Sequence, residues 1–349
     1  MKISQMLHRE DFYAINDRTL ESYYANGIGK TNVFVYPHLN AIITKTPSSA
    51  VKKYLFNEYG VRANCCKRWM VNGYVFACLH TGGLLSSKRV AVKAEVNNDT
   101  LIYPCNKKYR VFHFDENVVD VIAKSGFDDS DLQREIAFRV REDLPSFVPT
   151  LVSNDAYGYR ERIIAGVPLA RIREGFDRYR DEAYRQLSDY AQTQRREVSR
   201  KIYVADLRLQ IDRYATSPKV RDRERLYKLV DCLSHCCEGE ENVTICFSHG
   251  DLQPGNIWVE KDTHKIFIID WESWGERSVW YDKVALYQGL RPGRITKFLD
   301  CDMPKDHKVL VLLEDLIFRL KELTGLPSDF GVEQYEADVN EVARWLSME

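Results

Sequence analysis

The sequence predicts an α+β chain: an N-terminal extension of unclear fold over residues 1–85, a mixed small lobe over 86–165 and a mainly helical large lobe over 166–349. Between Val90 and Lys124, β-branched and aromatic runs alternate with polar turns, and a helical stretch and two further short strands follow. From about residue 170 to 237 apolar residues recur every three or four positions in a charge-rich background, which is helical periodicity. Two strand-like runs, TICFSHG and KIFIIDW, then flank a polar loop, and the last 70 residues read as helices.

Taken in order, residues 1–85 hold two apolar clusters, TNVFVYP and NAIITKT, a Gly82-Gly83 break and no chemical motif. RVAVKAEV, KYRVFHFD and VVDVIAK read as strands separated by polar turns. SDLQREIAFRVREDL reads as a helix, with Asp128 to Ser130 placed to cap its start and Pro145 just past its end. FVPTLV and YRERII read as strands closed by Gly166 and Pro168. Tyr179, Ala183, Leu187 and Tyr190 fall at helical spacing, so the charged residues around them form a solvated face over a core stripe. Heptads are not sustained, which argues against a coiled coil.

Composition narrows the function classes. With 50 basic and 51 acidic side chains, no bulk charge draws the chain to nucleic acid or to an anionic membrane. The opening MKISQMLHREDF has no apolar leader core, and no apolar run is long enough to span a bilayer. The expectation is a cytoplasmic protein with no membrane span. Nine scattered cysteines fit reduced thiols better than a disulfide framework. Cys232, His235, Cys236 and Cys237 lack a second ligand pair at a conventional distance, so they read as helix thiols rather than a zinc site.

The chemistry concentrates in FSHGDLQPGNIWVEKDTHKIFIIDWESWGERSVWYD, residues 247–282. Asp251 is followed five residues later by Asn256, and a strand ends at Asp270, fourteen residues further on. Phosphoryl transfer needs a carboxylate beside the attacking hydroxyl and oxygen ligands that hold magnesium against the nucleotide phosphates. Asp251 suits the base, and Asn256 and Asp270 suit the metal ligands. The order base, Asn, strand, Asp is similar to the protein-kinase catalytic loop followed by its metal-binding aspartate. His249 reads as a brace of this loop through hydrogen bonding. Trp271, Trp274 and Trp280 crowd the segment as core, with one of them a candidate for lining an acceptor pocket. Arg277 is expected to pair with Glu272 or Glu276, with contact to an anionic acceptor as the alternative.

His249-Gly-Asp-Leu-Gln-Pro-Gly-Asn256-Ile resembles the catalytic loop of the aminoglycoside phosphotransferase and choline kinase family, and Ile269-Asp270-Trp271-Glu272 resembles that family's metal-binding segment. Trp280-Tyr281-Asp282 resembles a downstream segment whose aspartate supports the loop. The resemblance covers about 36 residues closely. It implies a two-lobed, protein-kinase-like fold that binds ATP and Mg2+ between its lobes and phosphorylates a hydroxyl of a small molecule such as a sugar, an aminoglycoside, a choline-like amine or a polysaccharide precursor. By the same resemblance Lys124, ending the third strand, is the nucleotide lysine, with Glu135 on the following helix as its ion-pair partner. Val90-Ala-Val-Lys93 is the competing match, set aside because two more strands follow it. Glu161, Ile163 and Ile164, in the segment before Gly166, are expected to hold the adenine. One departure stands out: no glycine lies between Lys88 and Lys124, so the glycine-rich loop of protein kinases is missing. That keeps a pseudokinase or nucleotide-binding regulatory module as the alternative, while the lack of an Ala-Pro-Glu segment after Asp270 argues against a protein kinase.

Overall fold

Alternating β-branched residues in the first 165 positions build one antiparallel sheet, and the helical periodicity beyond builds a second body. The computed structural model describes residues 12–59, 65–105, 107–237, 239, 241–290, 293–325 and 331–346. The chain forms two compact units, Met1–Ile136 with Thr150–Ile164, and Ala137–Pro149 with Ala165–Glu349. The α+β class is the one the sequence predicts.

The first unit contains helix α1 (Phe12–Tyr23), strands β1 (Thr31–Tyr36) and β2 (Ala41–Thr44), helices α2 (Ser49–Tyr59) and α3 (Cys65–His80), strands β3 (Lys88–Val92), β4 (Thr100–Pro104), β5 (Lys108–His113) and β6 (Val118–Ala123), helix α4 (Ser130–Arg139), and strands β7 (Leu151–Asn154) and β8 (Gly158–Arg162). The eight strands pair in the order β3-β1-β2-β4-β5-β6-β8-β7, antiparallel throughout, with a register shift between Leu151 and Ser153 in β7.

This order corrects the expected boundary at residue 85. The clusters TNVFVYP and NAIITKT are strands inside the sheet, not an extension beside it. One face of β1 and β2, with Val33, Val35 and Ile42, shares a core with Ile102, Tyr109 and Val111. The other, with Phe34, Tyr36 and Ile43, joins Leu101, Phe112 and Val121. A strand buried on both faces gains about 1.5–3 kcal/mol for each large apolar side chain removed from water, so these runs have no stable existence apart from the sheet. Two intervening helices separate β1 and β2 in sequence from their outer partners, β3 and β4, and hide those pairings. The predicted helix also ends earlier than expected, at Arg139.

The second unit holds β9 (Gly166–Pro168), α5 (Phe176–Gln192), β10 (Arg196–Ser199), α6 (Arg200–Ala215), α7 (Arg223–Cys236), β11 (Asn242–Ser248), β12 (Ile257–Glu260), β13 (Ile266–Ile268), β14 (Gly275–Ser278), α8 (Tyr281–Tyr287), α9 (Ile295–Leu299), α10 (Lys305–Thr324) and α11 (Val332–Trp345). Tyr179, Ala183, Leu187 and Ala191 form the buried stripe of α5, four residues apart, as the 3.6-residue period requires. Helix α7 is capped by the Asp222 side chain, which accepts the Arg225 N–H at 2.9 Å. Val309, Leu313 and Leu320 of α10 are fully buried in the core shared with α6 and α7.

The strands form two small sheets, β10-β11-β14 and β13-β12-β9. The runs TICFSHG and KIFIIDW therefore lie in different sheets. The hairpin partner of β13 is β12, in register Ile257 to Ile268. Four residues, IWVE, are too few for alternation to announce a strand.

Candidate active site

The loop that carries Asp251 begins where β11 ends. Cys246, Phe247 and Ser248 are buried, and His249 has no exposed surface. Gly250 adopts φ +81°, and a Cβ there would lie 2.1 Å from the Ser273 carbonyl oxygen, so only glycine fits. The buried Asp282 carboxylate, in the first turn of α8, accepts the His249 N–H at 2.8 Å and the Gly250 N–H at 3.1 Å. Asp282 thus clamps the two residues before Asp251.

The His249 ring is fixed by two bonds of opposite sense. Its Nδ1 accepts the Asp251 N–H at 3.2 Å, so Nε2 carries the proton and donates to the Ile269 carbonyl at 3.0 Å. The imidazole therefore ties the Asp251 loop to the end of β13, one residue before Asp270. Trp271, fully buried, lies 4.5 Å from the imidazole by ring centroids and donates its indole N–H to the Ile268 carbonyl at 2.7 Å.

Asp251 itself is partly exposed. The Asn256 amide nitrogen donates to its carbonyl at 2.9 Å and to its carboxylate Oδ2 at 3.0 Å, and the Gln253 amide reaches the same oxygen at 3.2 Å. In return, the Ile269 N–H donates to the Asn256 carbonyl at 2.9 Å, so the loop and the segment entering Asp270 share a backbone bond. Asp270 sits in the left-handed region at φ 68°, ψ 57°. Aspartate tolerates that region better than most residues, but the conformation carries strain, and such strain gathers at functional positions.

In the first unit, Lys124 is buried just past β6, its ammonium 5.5 Å from the centroid of the Tyr109 ring. Glu135, also buried, accepts a hydrogen bond from the Lys108 ammonium at 2.7 Å and from the Tyr159 hydroxyl at 3.0 Å. Sequence reasoning missed Lys108. It opens β5, where a lysine reads as a solvated strand end, and only the register opposite Ala123 brings it to the Lys124 end of β6. Lys93, the alternative nucleotide lysine, is exposed just beyond edge strand β3. Glu161 is buried on β8, and the Ile163 N–H donates to the Asn117 carbonyl at 3.2 Å, while Ile164 closes the unit.

Other expected contacts are corrected. Glu276 is held by Arg196, at 2.8 and 2.6 Å, rather than by Arg277. The Arg277 guanidinium instead lies over the Tyr281 ring at 4.9 Å. Trp271 is core, and Trp280 stacks on His307 at 3.8 Å. The carboxylates of α5 are matched by arginines: Asp177 and Asp181 by Arg180, Glu182 and Asp189 by Arg185. A cavity of about 600 Å³ opens beside Tyr179, His264 and Lys265, at the turn of the β12–β13 hairpin and thus at the opposite end from Asn256 and Asp270. Among the described residues no disulfide forms, and burial pushes the Cys246 thiol up to about 11.

No family model matches the chain, and no curated protein matches it. Among solved structures, the chain is similar to an ethanolamine kinase of Plasmodium vivax, at 14% identity over 85% of this chain and 95% of that one, with a TM-score of 0.46. It is similar to the choline kinase LicA of Streptococcus pneumoniae at 16% identity, over 73% of this chain and 92% of that one, with a TM-score of 0.40. It is also similar to a thermostable mutant of an aminoglycoside phosphotransferase at 11% identity, over 73% and 92%, with a TM-score of 0.44. Likeness at this level carries no argument. The functional reading rests on the chain's own residues.

Proposed function

We propose that the chain is a phosphotransferase that moves the γ-phosphate of ATP to a hydroxyl of a small molecule, with Asp251 as the base and Asn256 and Asp270 as ligands of Mg2+. The observation that carries this reading is the double grip of the Asn256 amide on the Asp251 carbonyl and carboxylate, at 2.9 and 3.0 Å. A carboxylate oriented by neighbouring amides on a partly exposed loop is suited to aligning an alcohol and taking its proton.

The donor set fits magnesium. With its amide nitrogen committed to Asp251, Asn256 turns its Oδ1 the other way, and Asp270 adds carboxylate oxygens; both are hard donors of the kind that ion selects. When bound, the ion would neutralise charge on the transferring phosphate. In the transfer the acceptor O–H bond breaks and its proton passes to Asp251. The acceptor oxygen bonds the γ-phosphorus, and the bond to the β–γ bridging oxygen breaks with its electron pair leaving on ADP. For the first unit we assign Lys124 and Glu135 to the nucleotide, with Lys108 bracing Glu135. Glu161 and the backbone at Ile163 and Ile164 are assigned to the adenine, with Ile163 offering its carbonyl because its N–H is already engaged. The acceptor is a hydroxyl-bearing small molecule. The arginine-matched carboxylates of α5 do not by themselves favour a cationic one.

The test is thermal stabilisation by ATP, with and without magnesium, on the wild type and on Asp270→Asn, a variant chosen because asparagine tolerates the left-handed backbone. Ligand at a hundred times its dissociation constant should add about 2.7 kcal/mol. Magnesium-dependent stabilisation that the variant loses supports the proposal. No response to any nucleotide favours a catalytically silent binding module, a reading for which the absent glycine-rich loop is the motive.

A further inference from the structure

We propose that the outward face of α3, with the turn that follows it, docks on an anionic lipid surface. The helix buries Val75, Cys78 and Leu79 in the sheet core. At 100° per residue its other face carries Cys66, Trp69, Met70, Gly73 and Phe76, with no Asp, Glu, Lys or Arg among them. Trp69 is 80% exposed, Met70 68% and Phe76 57%, and Leu84 and Leu85 continue the exposed patch into the turn. A helix apolar on both faces is ordinarily covered on both. Contiguous exposed apolar surface of this kind marks an interaction site.

Local charge identifies the occupant. The whole chain is balanced, yet from Lys45 to Arg89 every Asp, Glu, Lys or Arg except Glu58 is basic, eight lysines and arginines against one carboxylate. Lys45, Lys53, Arg68 and Arg89 are exposed, and Lys45 packs its stem against Gly82 in the turn. Tryptophan, phenylalanine and leucine framed by lysine and arginine is the composition of helices that lie in the headgroup region of a bilayer. A second copy of the chain would bring the same basic rim against itself, which disfavours self-association through this face. No described helix is long and apolar enough to cross a membrane, so the contact would be peripheral.

The experiment is co-sedimentation of the full chain with vesicles of phosphatidylcholine alone or with roughly 30 mol% phosphatidylglycerol, at low and high salt. Trp69→Ser/Phe76→Ser and Lys45→Glu/Lys53→Glu serve as variants, each checked for an unchanged thermal midpoint. The proposal expects pelleting with the anionic vesicles only, weakened by salt and reduced on the order of tenfold by either double substitution. It is overturned if the chain stays in solution, if both variants pellet like the wild type, or if sedimentation velocity shows a dimer that Trp69→Ser/Phe76→Ser dissociates.

Discussion

The Asp282 carboxylate accepts the backbone N–H of His249 at 2.8 Å across 33 residues of sequence, in a buried position. That bond and its partner to Gly250 tie the first turn of α8 to the loop that carries Asp251. A side chain on another element therefore fixes the backbone that enters Asp251.

Asp282→Ala should cost about 3 kcal/mol, since hydrogen bonds to a charged group contribute about 1.5–3 kcal/mol each and two backbone donors would be left buried. Asp282→Asn keeps one acceptor oxygen and should cost less. Urea unfolding midpoints order the two, and transfer rates should follow the same order. An alanine variant as stable as the wild type would contradict the clamp.

Gly250→Ala places a methyl group about where the Ser273 carbonyl stands, at a positive φ that alanine resists. The loop must shift to admit it. Expected are a loss of about 2–4 kcal/mol and a collapse of turnover, because backbone strain and overpacking add. Circular dichroism melting with a paired activity assay reads both.

Asp251→Asn retains the volume and removes the proton acceptor. Stabilisation by ATP and magnesium should stay near the wild-type value while turnover drops by about 10²–10⁴. Unchanged turnover would remove Asp251 from the role of base.

Lys108→Met leaves the buried Glu135 with one fewer compensating partner and should destabilise by about 3 kcal/mol. Glu135→Gln in the same background should recover part of that loss. This double-mutant cycle measures how far Lys108, rather than Lys124, stabilises the Glu135 carboxylate.

Two carboxylates should give stability opposite slopes with pH. Burial pushes Asp120 up, but hydrogen bonds from His113, Arg160 and Tyr23 outweigh it and hold the carboxyl well below its usual value. Its contribution is therefore present above about pH 4 and lost as pH falls through the folded value. Glu314 is raised by burial, despite hydrogen bonds from Tyr203 and Ser278. Its contribution is fully present below about pH 4.3 and declines as pH rises through its folded value. Unfolding midpoints against pH for Asp120→Asn and Glu314→Gln should flatten, respectively, the acid limb and the limb on which stability declines as pH rises.

What the sequence made legible follows from distance along the chain. His249, Asp251, Asn256, Asp270 and Asp282 lie within one stretch, so order and residue type sufficed to single them out as candidates. Lys108 acquires its partner only through strand register, and β1 and β2 acquire their neighbours only after two helices intervene. β12 was too short to show a period. The arginines that match the α5 carboxylates sit among them in sequence, but no pattern said which would pair with which.

The order of the large sheet also bears on how the chain avoids association during synthesis. Its outermost strands are β3, which carries Lys88 and Arg89, and β7, four residues long with a broken register. A row of unpaired amides and carbonyls is a template for any passing extended segment, and lysine, short length and local twist are the usual means of spoiling it. Replacing Arg89 with valine would smooth one border of the sheet, and the expected cost is insolubility rather than lost catalysis.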